Sequence, residues 1–279
     1  MINVETVPQK FDLLKQYIAD VGKDGVVVAF SGGVDSSTLA FVSHMVLGEK
    51  AVAVIAQSPI HPSEELDNAK KVATDIGIKL YTTQTNELLN PFFNTNPENR
   101  CYYCKKELLT NLKHLAQQLG FKTIFEGTNY SDLDDHRPGF KAIQETRDVF
   151  SPWVINKFNK NEIRQLAKYL GISVYDKPSL ACLASRIAFN QKITREILTR
   201  IEYAEQMVRV ISGVKQVRVR DHYGLARIEV SKTEFHFFCN VAVWNQIAEA
   251  LLKLGFKYVT LDLQGYMSGS MLKALQYDF

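Results

Sequence analysis

Cysteine is scarce in this sequence, with four residues among 279, and no long apolar segment is present. So few cysteines in a chain of this length argue against a disulfide-stapled scaffold and indicate a reducing, cytoplasmic compartment. A membrane-spanning helix needs about 18–20 consecutive apolar residues, and no run in the sequence approaches that length. The N-terminal residues also lack the basic segment and apolar core that would predict a secretory signal.

Strong net charge is absent as well, because 33 basic residues against 30 acidic residues leave a charge of +3. That balance is too weak to indicate a nucleic-acid partner. Hydrophobic residues make up 46% of the chain and charged residues 23%, which excludes disorder as the main state. The length suits two domains of about 100–200 residues each.

Short apolar strands alternate with helical patterns through the first two thirds of the chain. Strands are expected at 26–30, 51–56, 78–82 and 123–126, and helices at 36–47, 63–76, 105–119 and 160–170. This alternation predicts an α/β domain over residues 1–186, built on a doubly wound parallel sheet.

The pattern changes from about residue 187. A helix is expected at 194–212, strands at 214–220 and 225–230, a helix at 233–254 and a last strand at 258–263. This order predicts a second, smaller α+β domain over residues 187–279, which would bind substrate or support oligomerisation.

The sharpest local signal is a loop between strand 26–30 and the next helix. Its residues are Ser31, Gly32, Gly33, Val34, Asp35, Ser36 and Ser37. Glycines let backbone N–H groups converge on an anion, and the first helical turn adds positive potential. The serine hydroxyls can donate to phosphate oxygens, and Asp35 can hold Mg²⁺. The loop is neither a Walker A motif nor GxGxxG, and an ordinary strand-to-helix turn is the alternative.

Two further places at the expected strand ends are candidates for nucleotide binding. Phe30 and Ser58 follow the first two strands and should flank the adenosine, since such sheets bind ligands at their carboxyl edge. A polar loop over 126–139 begins at the same edge and contributes Gly127 and Arg137. A plain polar surface loop is the alternative.

Cys101 and Cys104 form a CxxC motif at the start of a helix, and Cys182 follows much later. Three thiolates fit a [4Fe–4S] cluster whose open iron binds a non-protein ligand such as hydrosulfide. A structural zinc site would need a fourth protein ligand, which is not visible. Redox or sacrificial thiols and inert thiols are the alternatives. Cys239 lies in the apolar stretch FHFFCN and is expected to be a buried core thiol.

Several basic residues could form a site for phosphate and carboxylate groups, where arginine offers bidentate geometry. They are Lys105, Arg186, Arg218 and Arg220. Glu229 adds a carboxylate on the partner strand of the hairpin, and Glu205 lies on helix 194–212. A solvated sheet face and a surface glutamate are the alternatives.

Taken together, these segments resemble the LarE-type ATP-dependent sulfur transferases of the PP-loop ATP pyrophosphatase superfamily. SGGVDSS alone matches only the superfamily's SGGxDS motif. The segments that narrow the resemblance are EGTN with DDHRPGFKA, KPSLACLASR, VRVRDHYGLARIEV and LDLQGYMSGSM.

The resemblance implies an activity in the synthesis of a nickel-pincer nucleotide. ATP, with Mg²⁺, would adenylate a carboxylate of pyridinium-3,5-biscarboxylic acid mononucleotide, and sulfur would then displace AMP to give a thiocarboxylate. Sulfide or another sulfur donor and a homo-oligomer, a hexamer in the family, are implied partners.

The resemblance also implies residue roles. The basic residues named above would surround the substrate nucleotide, and Glu205 would lie near the reacting thiol. Ala181 stands where some members have a sacrificial cysteine, which favours the version in which Cys101, Cys104 and Cys182 hold a [4Fe–4S] cluster.

Two other functions stay open at this point. A tRNA thiolation enzyme would share the loop and the three cysteines, although the weak net charge and the lack of a further CxxC pair argue against it. A non-catalytic ATP-binding regulatory protein would retain the loop without turnover.

Overall fold

A computed structural model of the chain describes residues 7–134, 138–178 and 181–275. Its contacts divide the chain into two compact units: Met1–Asn86 with Asn99–Leu180, and Glu87–Glu98 with Ala181–Phe279. The functional division at residue 186 stays a prediction, because packing units need not coincide with units of function. No helix in the described ranges is long and apolar enough to cross a membrane.

The first unit opens with alternating helices and strands. Up to Asn86 the elements are α1 (Val7–Val21), β1 (Val26–Phe30), α2 (Val34–Leu47), β2 (Ala51–Gln57), α3 (Ser63–Ile76) and β3 (Lys79–Gln84). The strands and the helices α2 and α3 lie where the sequence patterns predict them. Helix α1 was not among the predicted elements, and it buries Leu14 and Ile18 in the core of this unit.

A short segment then belongs to the second unit before the chain returns to the first. The segment contains the one-turn helix α4 (Pro91–Asn94), whose N-cap Asn90 accepts a hydrogen bond from Phe92 N. The returning elements are α5 (Arg100–Gln118), β4 (Thr123–Phe125), α6 (Pro138–Gln144), β5 (Val149–Phe150), α7 (Pro152–Ile155) and α8 (Lys160–Tyr169).

The sheet of the first unit is parallel, with strand order β3-β2-β1-β4-β5. Side chains alternate along a strand, so β1 contributes to two helical layers. Val26 and Val28 pack with α2 and α8 on one face, whereas Val27 packs with α5 on the other. Burial on both faces confirms the predicted doubly wound α/β sheet.

The strand order also locates a crevice. From β1 the chain crosses to β2 on one side and later reaches β4 on the other side of β1. Connections that leave in opposite directions open a gap at the carboxyl ends of these strands, where open α/β sheets bind ligands. The loop 31–37 lies at this edge.

The second unit is a smaller α+β structure, as predicted. Its elements after α4 are α9 (Arg195–Ser212), β6 (Val217–His222), β7 (Leu225–Val230), α10 (Val241–Lys253) and β8 (Tyr258–Leu261). Strand β7 pairs antiparallel with β6 and parallel with β8. One face of this sheet, with Val219 and Ile228, packs against the two helices and forms the core.

The predicted helix over 233–254 is interrupted. A 3-10 helix spans Lys232–Phe238, and α10 starts only at Val241 after the N-cap Asn240, whose side chain accepts a hydrogen bond from Ala242 N. Cys239 lies at the break and is exposed, whereas the preceding Phe238 is buried. The prediction that Cys239 is a core thiol was therefore wrong, because the break turns its side chain away from the core.

Candidate active site

The loop 31–37 connects the carboxyl end of β1 to the N-terminus of α2. Ser36 Oγ accepts a hydrogen bond from Ser31 N at 3.1 Å and donates one to Gly33 O at 3.2 Å. Ser37 is fully buried, and its Oγ has no hydrogen-bond partner in the described part of the chain. Ser36 thus holds the loop through hydrogen bonds to the loop's own backbone. The first helical turn of α2 follows the loop directly, and its backbone amides give this end of the helix a positive potential.

Gly32 is required by the geometry of the loop. Its φ is +68°, and a Cβ atom would lie 2.8 Å from Ala69 Cα on α3. Lys177 Nζ lies 3.5 Å from Gly32 O and 3.1 Å from Glu65 Oε2, so this lysine ties the loop to α3. A larger residue at position 32 would push the loop away from α3.

Asp35 is the charged centre of the loop. One carboxylate oxygen, Oδ2, forms a short ion pair with Lys160 Nζ at the start of α8. The other, Oδ1, is buried and has no hydrogen-bond partner among the described residues. Burial raises the pKa of Asp35, and Lys160 opposes this shift. An unpaired, buried carboxylate oxygen beside a phosphate loop fits a Mg²⁺ ligand.

The loop after β4 approaches the same place. A Cβ atom on Gly127 would lie 3.2 Å from Ser36 N, so glycine allows the two loops to touch. Glu126 is buried and accepts hydrogen bonds from Ser151 Oγ and from Thr128 Oγ1, the latter at 2.7 Å. Lys105 Nζ lies 3.8 Å from the Glu126 carboxylate, which places this predicted substrate residue beside the loop.

The other predicted nucleotide residues have different surroundings. Phe30 is buried in the core of the first unit, at the end of β1. Ser58 opens the turn after β2, where its Oγ accepts a hydrogen bond from Ile60 N at 3.3 Å. Arg137 lies outside the described residues.

The CxxC cysteines lie at the start of α5, about one turn apart, where Cys101 is exposed and Cys104 is partly buried. Residues three apart on a helix share a face, so both thiols are on one side of α5. Cys182 belongs to the second unit and is the N-cap of the 3-10 helix Leu183–Arg186. The described residues contain no group of three His, Cys, Asp or Glu side chains arranged to hold a metal ion.

In the second unit, Arg186 and Glu205 form a buried ion pair. Arg186 Nε donates to Glu205 Oε1 at 2.9 Å, and Nη2 donates to Oε2 at 3.2 Å. Val219 N also donates to Oε1 at 3.1 Å. Glu205, expected near the reacting thiol, thus accepts three hydrogen bonds from within the second unit.

Arg220 is held in a similar way on the polar face of the small sheet. Its Nε and Nη2 donate to Glu229 Oε2 at 3.0 and 2.7 Å, and its Nη1 donates to Ser185 O at 3.2 Å. Glu229 is fully buried and also accepts hydrogen bonds from Arg227 and from Ser270. All three nitrogens of the Arg220 guanidinium are therefore occupied.

Arg218 lies on the same face of β6 but lacks such partners. Its Nη1 donates to Val217 O at 2.8 Å, and its guanidinium lies over the ring of Tyr266. No carboxylate of the described residues forms an ion pair with it. Burial and the nearby Arg186 lower the pKa of Arg218 below its ordinary value. A partly buried cation that lacks a carboxylate partner is stabilised when an anion binds to it.

Sequence reasoning missed two residues that organise the first unit's site. Lys160 holds Asp35, and Trp153 Nε1 donates to Asp35 O at 3.1 Å. Glu126 lay within the predicted polar loop 126–139, but no role was predicted for its carboxylate, which accepts hydrogen bonds from the loop after β4. The one local signal was the capping box of Asn159 and Glu162, which starts α8 next to Lys160. Nothing local links that helix start to Asp35.

A parallel sheet whose central strand ends in SGGVDSS, with a partly buried aspartate and two lysines around the loop, defines an ATP pyrophosphatase of the PP-loop class. The profile of the NAD synthase family matches residues 6–117, which agrees with that class.

Whole-chain relatives narrow the class to one family. The chain is 42% identical over 95% of its length to the uncharacterized protein slr1717 of Synechocystis, covering 98% of that protein. It is 33% identical to pyridinium-3,5-bisthiocarboxylic acid mononucleotide synthase of Lactiplantibacillus plantarum, over 88% of each chain. An uncharacterized protein of Methanocaldococcus jannaschii is 30% identical over 87% of this chain and 91% of its own length. The chain belongs to the LarE-type family of ATP-dependent sulfur transferases.

Proposed function

We propose that the protein adenylates a carboxylate of pyridinium-3,5-biscarboxylic acid mononucleotide and then replaces AMP with sulfur to give a thiocarboxylate. The observation that carries this proposal is the 33% identity, over 88% of each chain, to the Lactiplantibacillus plantarum synthase. In the first step a carboxylate oxygen attacks the α-phosphorus of ATP, and pyrophosphate leaves. In the second step a sulfur nucleophile attacks the acyl carbon, and AMP leaves.

The loop 31–37 would stabilise the pyrophosphate that leaves in the first step. The amides at the start of α2 and the Lys160 ammonium supply positive potential where negative charge develops. Asp35 would hold Mg²⁺ through its unpaired Oδ1. Bound Mg²⁺ would neutralise the phosphate oxygens. No side chain of the loop is positioned as a nucleophile, so its contribution is binding and charge stabilisation.

Arg218 is the cation that best suits the anionic acceptor nucleotide. Its guanidinium is partly buried and has no carboxylate partner in the described chain, whereas each nitrogen of Arg220 already donates to Glu229 or Ser185. An acceptor phosphate or carboxylate could form a bidentate pair with Arg218.

Adenylation is tested by exchange of labelled pyrophosphate into ATP with candidate acceptors. We expect exchange with the pyridinium nucleotide, release of AMP and pyrophosphate, and loss of exchange in Asp35→Asn. Exchange with tRNA alone would favour tRNA thiolation, and no exchange with any acceptor would favour a non-catalytic role. Release of ADP and phosphate would refute the PP-loop chemistry.

Three cysteines would serve the second step, in which sulfur is transferred to the acyl carbon. Cys101, Cys104 and Cys182 would hold a [4Fe–4S] cluster, which when bound would carry the sulfur that is transferred. The shared face of the two CxxC thiols on α5 fits this role.

Iron and acid-labile sulfide analysis after anaerobic isolation tests the cluster. Replacing any one of the three cysteines by alanine should remove the iron while pyrophosphate exchange persists. Cys239→Ala is the matched control, because this thiol is exposed at the break before α10. If the wild-type chain holds no iron and each chain loses the Cys182 sulfur in a single turnover, the sacrificial mechanism replaces the cluster.

A homo-oligomer is also part of the proposal. Helix α9 buries one face in the second unit, yet its opposite side exposes Tyr203 by 49%, Met207 by 40% and Val210 by 76%. Apolar side chains aligned in this way suit an interface between copies. Light scattering coupled to size-exclusion chromatography should give a mass that is a multiple of the chain mass, and Val210→Glu should reduce it.

A further inference from the structure

The turn that carries Cys182 is held by the Arg186 guanidinium together with Ser185. Arg186 Nη1 donates to the carbonyl oxygens of Ala181 and Cys182, the second at 2.8 Å, and lies 3.2 Å from Ser185 Oγ. Cys182 O also accepts hydrogen bonds from Ser185 N at 3.0 Å and from Ser185 Oγ at 2.7 Å. The backbone of Cys182 is thus anchored through its carbonyl oxygen, and its thiol takes no part in the anchor.

Glu205 holds that guanidinium in place from the other side. The carboxylate binds Nε and Nη2 of Arg186 in a bidentate pair, and it accepts a hydrogen bond from Val219 N on β6. The two side chains are only 3% and 5% exposed. A buried pair with several hydrogen bonds is costly to break on one side, because the remaining charge stays buried without a partner.

These contacts and the burial of both side chains leave little access for the acceptor. All three nitrogens of Arg186 are used within the second unit, and Glu205 accepts three hydrogen bonds there. A residue that transfers a proton or binds an anion needs access to that partner. Arg218 on β6 is the contrasting case, because among the described residues its guanidinium has one hydrogen-bond acceptor, the carbonyl oxygen of Val217.

We propose that Glu205 and Arg186 are positioning residues, which fix the Cys182 turn for sulfur transfer and do not touch the acceptor or carry a proton. This inference rests on the proposed function, since it assigns Cys182 to the sulfur-transfer step. The chain of contacts runs from β6 through Glu205 and Arg186 to the Cys182 carbonyl.

Hydrogen–deuterium exchange of the full-length protein tests the turn directly. The amides of Ser185 and Ile187 donate to Cys182 O and Ala184 O, so they report whether the turn is formed. In Glu205→Gln, and in the volume-matched double variant Arg186→Met with Glu205→Met, these amides should exchange at least tenfold faster. Glu249→Gln is the matched control, because it removes an exposed carboxylate from α10 that pairs with Lys253.

Kinetics separate positioning from substrate binding. Pyrophosphate exchange should stay within twofold of wild type in both variants, and the acceptor KM should also stay within twofold. The kcat for thiocarboxylate formation should fall at least tenfold. The double variant removes both charges together, so it avoids a lone buried charge and keeps the test valid if Glu205→Gln unfolds.

Two results would overturn the inference. Unchanged exchange of the Ser185 and Ile187 amides in the double variant would mean that the pair does not hold the turn. A rise in acceptor KM with kcat preserved would make the pair a substrate ligand. If wild-type protein forms no thiocarboxylate, the proposed function fails, and the amide exchange alone still decides whether the pair holds the turn.

Discussion

Replacing Lys160 by methionine would remove the cation that neutralises Asp35 while keeping most of the side-chain volume. The lysine and aspartate side chains are 28% and 21% exposed, so the pair is neither fully buried nor on the surface. Exposed pairs contribute at most about 1 kcal/mol, and breaking a buried pair costs about 3–5 kcal/mol. We therefore expect the free energy of unfolding to fall by about 2 kcal/mol near neutral pH.

The loss of unfolding free energy in Lys160→Met should depend on pH, and its direction follows from the pKa of Asp35. Burial raises the pKa of Asp35 above its ordinary value, and Lys160 opposes that shift. A carboxyl group whose folded-state pKa is raised favours folding while it is protonated, and that contribution is lost as pH rises through the folded-state pKa. Without Lys160 the pKa of Asp35 rises further. The stability difference between variant and wild type should therefore be small in acid and grow toward neutral pH.

Urea unfolding followed by circular dichroism measures this difference. A cycle of Asp35→Asn, Lys160→Met and the double variant should give a coupling of about 1–2 kcal/mol near neutral pH. Lys253→Met is the matched control, because Lys253 pairs with Glu249 on an exposed helix face. A loss in Lys160→Met that is equal at acid and neutral pH, or strictly additive effects in the cycle, would refute the reasoning.

Three further substitutions test the two units separately. Gly127→Ala places a methyl group 3.2 Å from Ser36 N, so the ATP affinity measured by calorimetry should fall about tenfold. Unchanged affinity would show that this loop is not part of the ATP site. Arg218→Ala should weaken acceptor binding by about 1.5–3 kcal/mol with unfolding unaffected, since it removes hydrogen bonds to a charged group. Arg220→Ala leaves Glu229 short of its main partner, so it should instead lower the free energy of unfolding by about 3–5 kcal/mol. Equal acceptor affinity in wild type and Arg218→Ala would remove Arg218 from the acceptor site.

Much of the fold was predictable because its signals are local. The run 26–30 is apolar at every position and stops at a glycine-rich loop, which is typical of a central parallel strand. Gly48 and Gly77 follow the predicted helices 36–47 and 63–76, and the structure ends α2 and α3 at the residues before them. Such patterns depend only on neighbouring residues.

Helix α1 was not predicted although its local signal is present. Apolar residues recur at helical spacing from Val7 through Leu14 and Ile18 to Val21, and they pack against the sheet core. Another part of the fold has no such local pattern. The segment Glu87–Glu98 belongs to the second unit because Asn96 Nδ2 donates to the carbonyl oxygens of Ile187 and Ala188, about ninety residues away in sequence. No spacing rule reports a contact over that distance.

The sequence by itself determined the class of chemistry, because SGGVDSS between a strand and a helix needs only local geometry to present amides to a phosphate. The tertiary structure alone decided which charged residues are available. Arg218 and Arg220 are two residues apart and share a face of β6. Every nitrogen of the Arg220 guanidinium donates to Glu229 or Ser185, while Arg218 has a single backbone acceptor among the described residues. A side chain's free hydrogen-bonding capacity depends on groups that the fold brings from distant parts of the chain, and spacing does not record them.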